Sequence, residues 1–376
     1  MGSEIIVVIV VATALIFDFT NGFHDTANVV ATSISTRAMP PRIAVGYAAV
    51  LNFVGAFISL AVAATVAQDV VEIQPNSIGL LAVFSGLVGA IAWNLITWYF
   101  GLPSSSSHAL IGGMVGAVFL AEGADAVFFK EGILGKVMIP AVVAPLLAFI
   151  VGGLAILFLY RIVGRLRPGP ATSGFRFGQV ISGGLLALAH GTNDAQKTMG
   201  VITLALVANG TIATDDFHVP DWVVISSATA ISLGTYVGGW RIIKTMGSRI
   251  HKMDSAQGFA AQGAGATVIL AASHVGFPLS TTHTISGAVI GSGAAKRLSA
   301  VRWGVAGNIV LAWILTLPMA ALIGGLTYLV TRIFGTGAVG PIVVSTASVV
   351  AAALLYARRS HQAGVPPGIP PAVESS

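Results

Sequence analysis

The sequence contains no cysteine and few charged residues. Of its 376 residues, 9% are Asp, Glu, Lys or Arg and 55% are hydrophobic, with a mean hydropathy of +0.88. A soluble globular chain usually carries about 25% charged residues. The low charge therefore excludes a soluble globular protein and predicts a polytopic membrane protein. The absence of cysteine excludes a disulfide framework and thiolate metal sites.

The charge that is present is mainly basic. Nineteen Lys and Arg against fourteen Asp and Glu give a net charge of +5. In a membrane protein, basic residues gather in the cytoplasmic loops, so we predict a lipid bilayer as partner and no nucleic acid. The first apolar run begins at Ile5 with no basic residue before it, which predicts no cleavable signal. No cofactor is predicted.

Two polar octets interrupt apolar stretches in the two halves of the chain. Residues 21–28 read Asn-Gly-Phe-His-Asp-Thr-Ala-Asn, and residues 190–197 read His-Gly-Thr-Asn-Asp-Ala-Gln-Lys. Gly22 matches Gly191, and Asp25 matches Asp194. A carboxylate at the centre of an apolar helix costs about 2.5–3.5 kcal/mol on insertion scales. A cost met twice at matching positions indicates a functional role.

A second motif is also repeated, in the same order. Residues 101–108 read Gly-Leu-Pro-Ser-Ser-Ser-Ser-His, and residues 276–283 read Gly-Phe-Pro-Leu-Ser-Thr-Thr-His. Two different motifs repeated in one order indicate an internal duplication. The predicted boundaries are a first repeat at 1–160, a basic linker at 161–176, a second repeat at 177–331, an extra transmembrane helix at 341–357 and a disordered tail at 363–376.

Loop charges predict how the two halves are oriented. Placing the basic loops in the cytoplasm puts the N-terminus outside, the C-terminus inside and the two repeats in opposite orientations. The predicted fold is an all-α polytopic membrane protein, an inverted-repeat transporter fold with broken helices and two Ser/Thr-rich helical hairpins. The octet glycines are expected to break the first helix of each repeat. In such transporters the site lies near the midplane, where broken elements meet.

The octets carry groups that can hold a cation. The ionisable residues well inside apolar spans are Asp18, Asp25, Asp194 and Lys197. Asn21, Asp25 and Asn28 share one helical face because their spacing is i, i+4, i+7. Carboxylates with nearby amide and carbonyl oxygens can bind a proton or a small metal ion. The alternative interpretation is a polar pair that only locks two helices together.

The Ser/Thr-rich motifs suit an anion instead. Proline ends the incoming helix, Ser and Thr cap the outgoing one, and its first turn presents free N–H groups at the positive end of the helix dipole. Two such helix starts can hold a tetrahedral oxyanion between them. The alternative is that these residues only cap or pack helices. The candidate hydroxyls belong to Ser105, Ser106, Ser107, Ser280, Thr281 and Thr282.

Five of the eight histidines lie at or beside these motifs: His24, His108, His190, His274 and His283. Histidine titrates near neutral pH and is a natural proton carrier, so His24 beside Asp25 is a candidate. His190 and His274 are interpreted as partners of backbone carbonyl groups.

The paired motifs resemble the inorganic phosphate transporter (PiT) family, whose signature is Gly-Ala-Asn-Asp-x-Ala-Asn in each half. The resemblance covers nearly the whole chain. The forms found here, ending in Asn28 and Lys197, look like the bacterial low-affinity branch. That branch implies proton coupling and transport of phosphate, often as a neutral metal–phosphate complex. The implied site consists of Asp25, Asn28, Asn193, Asp194 and the hydroxyls of residues 105–107 and 280–282.

The sequence therefore predicts a secondary transporter in the cell membrane that imports inorganic phosphate with protons, and not an enzyme. His24, Asp25 and Asp194 are the predicted coupling residues, and Asn21 and Lys197 are added to the site. Lys197 replaces a signature Asn, so its ammonium can stand where sodium would bind, or only neutralise Asp194. Sodium coupling, a different oxyanion such as sulfate, an anion channel and an intramembrane hydrolase remain alternatives. Phosphate and the coupling ion are the predicted partners, and a homodimer is one option.

Overall fold

In the computed structural model, residues 2–163, 168–213 and 217–363 are described, and they are mainly helical. The first half contains α1 (Gly2–Ser35), α2 (Pro41–Gly55), α3 (Ala61–Gln68), α4 (Ser77–Phe100), α5 (Ser106–Glu122), a 3₁₀ turn (Ala124–Ala126), a π-helical segment (Phe129–Met138) and α6 (Ile139–Val163).

Among its described residues, the second half has six α-helices in the same order of long and short helices, although its π-helical turn lies earlier. It contains α7 (Pro168–Ala208), α8 (Asp221–Val237), α9 (Trp240–Lys244), a π-helical turn (Thr245–Arg249), α10 (Ser255–His274), α11 (Thr281–Lys296), a 3₁₀ turn (Leu298–Ala300) and α12 (Trp303–Ile333). A last helix, α13 (Val339–Ala363), covers the predicted extra span. Helix α7 begins inside the predicted basic linker, of which residues 164–167 are outside the described part. The predicted tail also lies outside it, apart from Ala363.

Several helices are long and apolar enough to cross a bilayer. Within the described residues they are Glu4–Ser35, Ser77–Phe100, Phe129–Ile162 and Trp303–Ile333, and α8 with the segment after it forms a further span bent by 59°. Only 28% and 33% of the most apolar windows of α6 and α12 are buried. Large apolar side chains on their outer faces, such as Leu146, Leu154 and Leu315, are exposed. This pattern fits a protein whose outer surface faces lipid.

The predicted break at the octets is wrong. Helices α1 and α7 run without interruption through residues 21–28 and 190–197. The glycines serve close packing instead, because a Cβ at Gly22 would overlap the carbonyl oxygen of Ile231, and one at Gly191 that of Asn52. Small residues let membrane helices approach in this way. The octet of α1 thus packs on α8, and the octet of α7 packs on α2.

The helix breaks occur one element later in each half. Helix α2 ends at Gly55 and α3 starts at Ala61, while α8 ends at Val237 and α9 starts at Trp240. At the second break Gly238 has φ +76°, a backbone conformation that is unfavourable for residues other than glycine. The predicted broken helices therefore exist, but they lie beside the octet helices and not within them.

The last helix of each half packs against the outgoing hairpin helix of the other half. Helix α5 packs on α12, and α11 packs on α6, through glycines that meet backbone carbonyl groups directly. The contacts are Gly112 with Leu317, Gly116 with Ala321, Gly287 with Pro145 and Gly291 with Phe149. The matched hairpin positions thus have matched partners in the opposite half. This exchange ties the two halves into one bundle.

Candidate substrate and ion site

The two octets meet where α1 and α7 cross inside the bundle. Ligand atoms of Asp25, His190 and Asp194 all lie within 4.8 Å of one another. All three side chains are buried. The structure therefore brings together the two aspartates that the sequence singled out, although they come from opposite halves of the chain.

The two Ser/Thr-rich motifs form turns of the same design. Helix α4 is followed by Gly101 (φ +67°) and α10 by Gly276 (φ +79°), so each turn reverses the chain through a glycine in the left-handed conformation. Helix α5 starts with Ser105 as N-cap and α11 with Ser280, and each side-chain oxygen accepts from the N–H three residues on, at 3.1 Å. We call residues 101–105 and 276–280 the first and second hairpin turns.

Each aspartate accepts a hydrogen bond from the helix start of its own half. Ser106 Oγ donates to Asp25 Oδ2 at 2.7 Å. Thr281 Oγ1 donates to Asp194 Oδ2 at 3.0 Å. Because Ser106 and Thr281 occupy matching places after their caps, the two contacts are equivalent. Both carboxylates therefore lie against the first helical turn after a hairpin turn.

The last residue of each octet crosses to the other half. Asn28 Nδ2 donates to Thr282 Oγ1 at 2.9 Å. Lys197 Nζ donates to Ser107 Oγ at 2.6 Å and to the carbonyl oxygen of Leu279 at 2.9 Å. Ser107 and Thr282 are again matching positions. Both helix starts and both octets thus form one connected polar centre.

The two carboxylates differ in their charged neighbours. Asp194 pairs with the ammonium of Lys197, which is 1% exposed, and its Oδ2 lies 2.9 Å from His190 Nε2. Asp25 Oδ1 lies 2.6 Å from His24 Nδ1 and also accepts a 3.4 Å hydrogen bond from Thr282 Oγ1. A fixed cation therefore compensates Asp194, whereas Asp25 has a histidine that is charged only when protonated.

The residue before each aspartate ties the octet to the helix that leads into the hairpin. His24 Nε2 lies 3.1 Å from Thr97 Oγ1 on α4. Asn193 Nδ2 donates to Ser273 Oγ on α10 at 2.8 Å. His24 and Asn193 hold matching positions, whereas Ser273 lies one residue beyond the position that matches Thr97. His24 Nε2 also lies 3.4 Å from Oγ of Ser104 in the first hairpin turn. Each of these octet residues therefore faces the helix that precedes the hairpin turn of its own half, and His24 faces a turn hydroxyl as well.

The sequence model of one protein family matches both halves of this chain. The phosphate transporter family matches residues 21–173 and residues 165–324. These ranges contain both octets and both hairpin turns. The chain belongs to the phosphate transporter family.

Curated members of the phosphate transporter family are similar over most of the chain. A "Probable low-affinity inorganic phosphate transporter" of Mycobacterium tuberculosis (strain ATCC 25618 / H37Rv) is 52% identical over 88% of this chain and 78% of its own length. A protein of the same name from Bacillus subtilis (strain 168) is 42% identical over 87% of this chain and 97% of its own. These relatives are named as transporters and not as enzymes.

A solved structure extends the comparison to the fold. "The sodium-dependent phosphate transporter" is 25% identical to this chain and matches it with a TM-score of 0.76, covering 87% of this chain and 99% of that one. Together with the apolar helices, this makes the chain a multi-pass membrane protein with the fold of the phosphate transporter family.

Some predicted site residues lie outside the polar centre of this family member. Asn21 forms no hydrogen bond with either hairpin turn among the described residues, and its side chain lies beside the carboxyl group of Asp18. The oxygens of Ser105 and Ser280 already accept the capping N–H groups. The hydroxyl groups of Ser106, Ser107, Thr281 and Thr282 lie among the octet side chains. The Ser104 hydroxyl, which was not predicted, also lies 3.4 Å from His24 Nε2.

The interpretation of His190 as a partner of a backbone carbonyl is wrong. Its Nδ1 donates to Asn52 Oδ1 at 3.2 Å while Nε2 faces Asp194. Its position four residues before Asp194 was the available signal, since such residues share a helix face. His108 and His283 instead stack on each other, with ring centroids 4.7 Å apart, and His283 stacks on Trp313 at 4.1 Å. They pack the two helix starts together.

The chemistry of the centre suits an oxyanion and a cation together. Four hydroxyl groups, the first N–H groups of α5 and α11 and one ammonium group are donors for an anion. Two carboxylates and His190 are acceptors that can take a proton or a metal ion. The geometry does not favour a serine hydrolase, because within the described residues the imidazole rings of His108 and His283 contact each other and Trp313, and His283 Nδ1 lies 3.4 Å from the carbonyl oxygen of Ala141, instead of a hairpin hydroxyl.

Proposed function

We propose that this protein imports inorganic phosphate across the cell membrane by alternating access, with phosphate held between the helix starts of α5 and α11. The convergence of these two helix starts on the octet carboxylates and Lys197 is the observation that carries the proposal. Phosphate would take over the hydroxyl donors that now bind Asp25 and Asp194. The family and the relatives' names support phosphate as the substrate.

We propose a proton as the coupling ion. Lys197 places a permanent positive charge against Asp194 and beside Ser107, which is close to where the anion would bind. Asp25 has no such cation and is paired with His24, so this pair is the natural place for a transported proton. Protonation here would offset part of the negative charge that phosphate brings.

Sodium is the second candidate, because the solved structure that matches this chain is of a sodium-dependent transporter. In that case Asp25 and Asn28 would supply oxygens to the ion. The buried amide oxygen of Asn28 has no hydrogen-bond partner, which is compatible with this alternative.

We propose further that the transported substrate is a neutral metal–phosphate complex. Asp25, His190 and Asp194 offer two carboxylates and an imidazole within 4.8 Å of one another. Oxygen and imidazole donors suit divalent ions such as Mn²⁺ and Zn²⁺. In this proposal the metal ion is cargo that travels with the phosphate and is released with it.

The proposed transport cycle includes two halves in opposite membrane orientations, with the N-terminus outside. Cysteines introduced at Asp69 and Lys252 test this in a background without cysteine. We expect position 69 to react with an impermeant maleimide from outside and position 252 only from inside. Labelling of both positions from the same side would contradict the orientation.

Reconstituted protein tests the function. We expect labelled phosphate to accumulate in proteoliposomes when the outside is acidic, without sodium, and arsenate to compete better than sulfate. Uptake that requires a sodium gradient and ignores the pH gradient would select the second candidate. Downhill flux that never becomes accumulation under either gradient would indicate a channel and contradict the proposal.

A further inference from the structure

Asp18 is a buried carboxylate that the substrate site does not use. It lies on α1 two helical turns before Asp25, with 0% of its surface exposed. Neither of its oxygens has a hydrogen-bond partner. A buried ionised group without a partner is strongly unfavourable, so such a residue is normally held by a compensating charge or carries a function.

Asp18 is surrounded by other polar side chains in the same condition. The side chains of Asn21 and Thr198 lie beside its carboxyl group. Both are fully buried, and neither reaches hydrogen-bond geometry with any partner. Asn94 on α4 is also buried and without a partner. Asn94 lies three residues before Thr97, the residue of α4 that contacts His24.

Among the described residues, no Lys or Arg side chain forms an ion pair with Asp18. The charged groups that face it are Asp194 and Lys197 of α7. The ammonium of Lys197 already contacts Asp194, Ser107 and the Leu279 carbonyl oxygen. Helix α4 contains no ionisable acid or base, and α8 has only Asp221 at its start. The nearest carboxylate therefore adds negative charge instead of cancelling it.

The opposite side of the α1–α7 crossing shows that unpartnered groups are not general in this bundle. There, Thr36 donates to Gln179 at 2.9 Å and Gln179 donates to the carbonyl oxygen of Ser255 at 3.1 Å. Gln262 accepts from Ser182 at 2.9 Å and donates to Ser33 at 2.7 Å. These side chains thus satisfy one another, although the Thr32 hydroxyl beside them has no hydrogen-bond partner within the described residues, whereas no hydrogen bond joins Asp18, Asn21 and Thr198.

We propose that Asp18, Asn21 and Thr198 form a second site for the monovalent coupling cation, separate from the pair of His24 and Asp25. The inference rests on the proposed symport. The ligand is the coupling ion itself: a proton on the Asp18 carboxyl group, or Na⁺ held by its oxygens with those of Asn21 and Thr198. Its position on the N-terminal side of Asp25 makes it the first cation site met from that end of α1.

The experiment counts ions per phosphate in proteoliposomes clamped at zero membrane potential. The logarithm of the phosphate accumulation ratio is measured against imposed pH differences and, separately, against imposed sodium differences. The series in which accumulation responds, with pH or with sodium, identifies the coupling ion. The slope of that series gives the number of ions coupled to each phosphate. We expect Asp18→Asn to lower this slope by about one ion per phosphate, and Asp18→Glu to keep it.

Two further variants keep the test decisive if Asp18→Asn fails to fold. Thr198→Val should keep the slope but raise the ion concentration for half-maximal uptake about two- to tenfold, as loss of one hydrogen-bonding ligand predicts. Thr36→Val, on the satisfied side, should change neither quantity. A wild-type slope for Asp18→Asn, or an unchanged half-maximal concentration for Thr198→Val, would overturn the second site. A zero slope for the wild-type protein in both series would instead contradict the symport.

Discussion

Asp25 and Asp194 hold the same position in their octets and the same hydroxyl contact with a helix start, but their charge environments differ. Asp194 has the ammonium of Lys197 and the imidazole of His190 beside it. Asp25 has His24 at 2.6 Å and hydroxyl groups. The two octets therefore share the geometry of the carboxylate and differ in the means by which its charge is compensated.

This difference suggests a division of roles between two otherwise equivalent sites. A carboxylate paired with a buried lysine keeps a constant net charge, so it can position an anion throughout a cycle. A carboxylate paired with histidine changes its net charge when a proton binds, so it can couple a gradient to that anion. The predictions below each remove one element of this contrast.

Removing the fixed cation should have the largest effect. Lys197→Asn gives the second octet the residue found at Asn28 and leaves Asp194 buried without its ammonium partner. Breaking one side of a buried ion pair costs about 3–5 kcal/mol. We expect phosphate uptake without sodium to fall by at least about 100-fold, since each 1.4 kcal/mol is tenfold. The measurement is initial uptake into proteoliposomes.

A half-exposed lysine–aspartate pair provides the matched control. Lys136 and Asp69 lie 2.5 Å apart with side chains 35% and 38% exposed. Exposed pairs contribute little, so Lys136→Asn should leave uptake near the wild-type rate. Near-normal sodium-free uptake by Lys197→Asn would show that the ammonium is not needed and that the two aspartates are functionally alike.

Neutralising the two aspartates separately should give different defects. Asp25→Asn keeps the hydroxyl contacts and removes a group that can take up a proton, so phosphate exchange should persist while its response to an inward pH gradient disappears. Asp194→Asn leaves Lys197 unpaired, so we expect loss of stable protein, seen as a lower thermal midpoint in detergent. Equal pH responses of the wild type and Asp25→Asn would contradict the assigned roles.

The helix-start hydroxyl groups should be equivalent, in contrast to the aspartates. Ser106→Ala and Thr281→Ala each remove one donor to an anion, a loss of about 1.5–3 kcal/mol for a hydrogen bond to a charged group. We expect phosphate affinity, measured by calorimetry, to fall by about ten- to a hundredfold in each. Ser106→Thr and Thr281→Ser retain the hydroxyl and should bind nearly normally. Wild-type affinity in both alanine variants would exclude binding at the helix starts.

The smallest effect should come from the caps. Ser105→Ala and Ser280→Ala each remove an N-cap worth about 1 kcal/mol. Because both oxygens already accept the capping N–H, these variants should lower thermal stability by similar small amounts and weaken phosphate binding less than Ser106→Ala. A larger loss of affinity in Ser280→Ala than in Thr281→Ala would mean that the cap oxygen contacts the substrate.

Much of the fold followed from the sequence because apolar length, loop charge and repeated motifs are local signals. The elements of both halves, the hairpin turns and the site aspartates were predicted. The continuity of α1 and α7 was not, since a glycine in an apolar helix is equally suited to a break and to close packing. The carbonyl groups that decide between these at Gly22 and Gly191 belong to Ile231 and Asn52, far away in the chain.

The site contacts were less predictable for the same reason. Asp25, Asp194 and the hairpin hydroxyl groups could be named, but the crossing of Asn28 to Thr282 and of Lys197 to Ser107 depends on how α1 and α7 pass each other. Thr97 and Ser273 carried no signal, because Ser and Thr inside membrane helices usually bond their own backbone. Those positions became visible only as the hydrogen-bond partners of His24 and Asn193.

The exchange of end helices between the halves has a consequence for biosynthesis. Helix α5 is made early, yet the surface that Gly112 and Gly116 present is covered only by α12, roughly 200 residues later. At about 5–20 residues per second, the ribosome needs about 10–40 s to supply that cover. During this interval the nascent first half carries an unfinished polar hairpin in the membrane. The chain's own cover for Gly112 and Gly116 therefore arrives only when α12 leaves the ribosome.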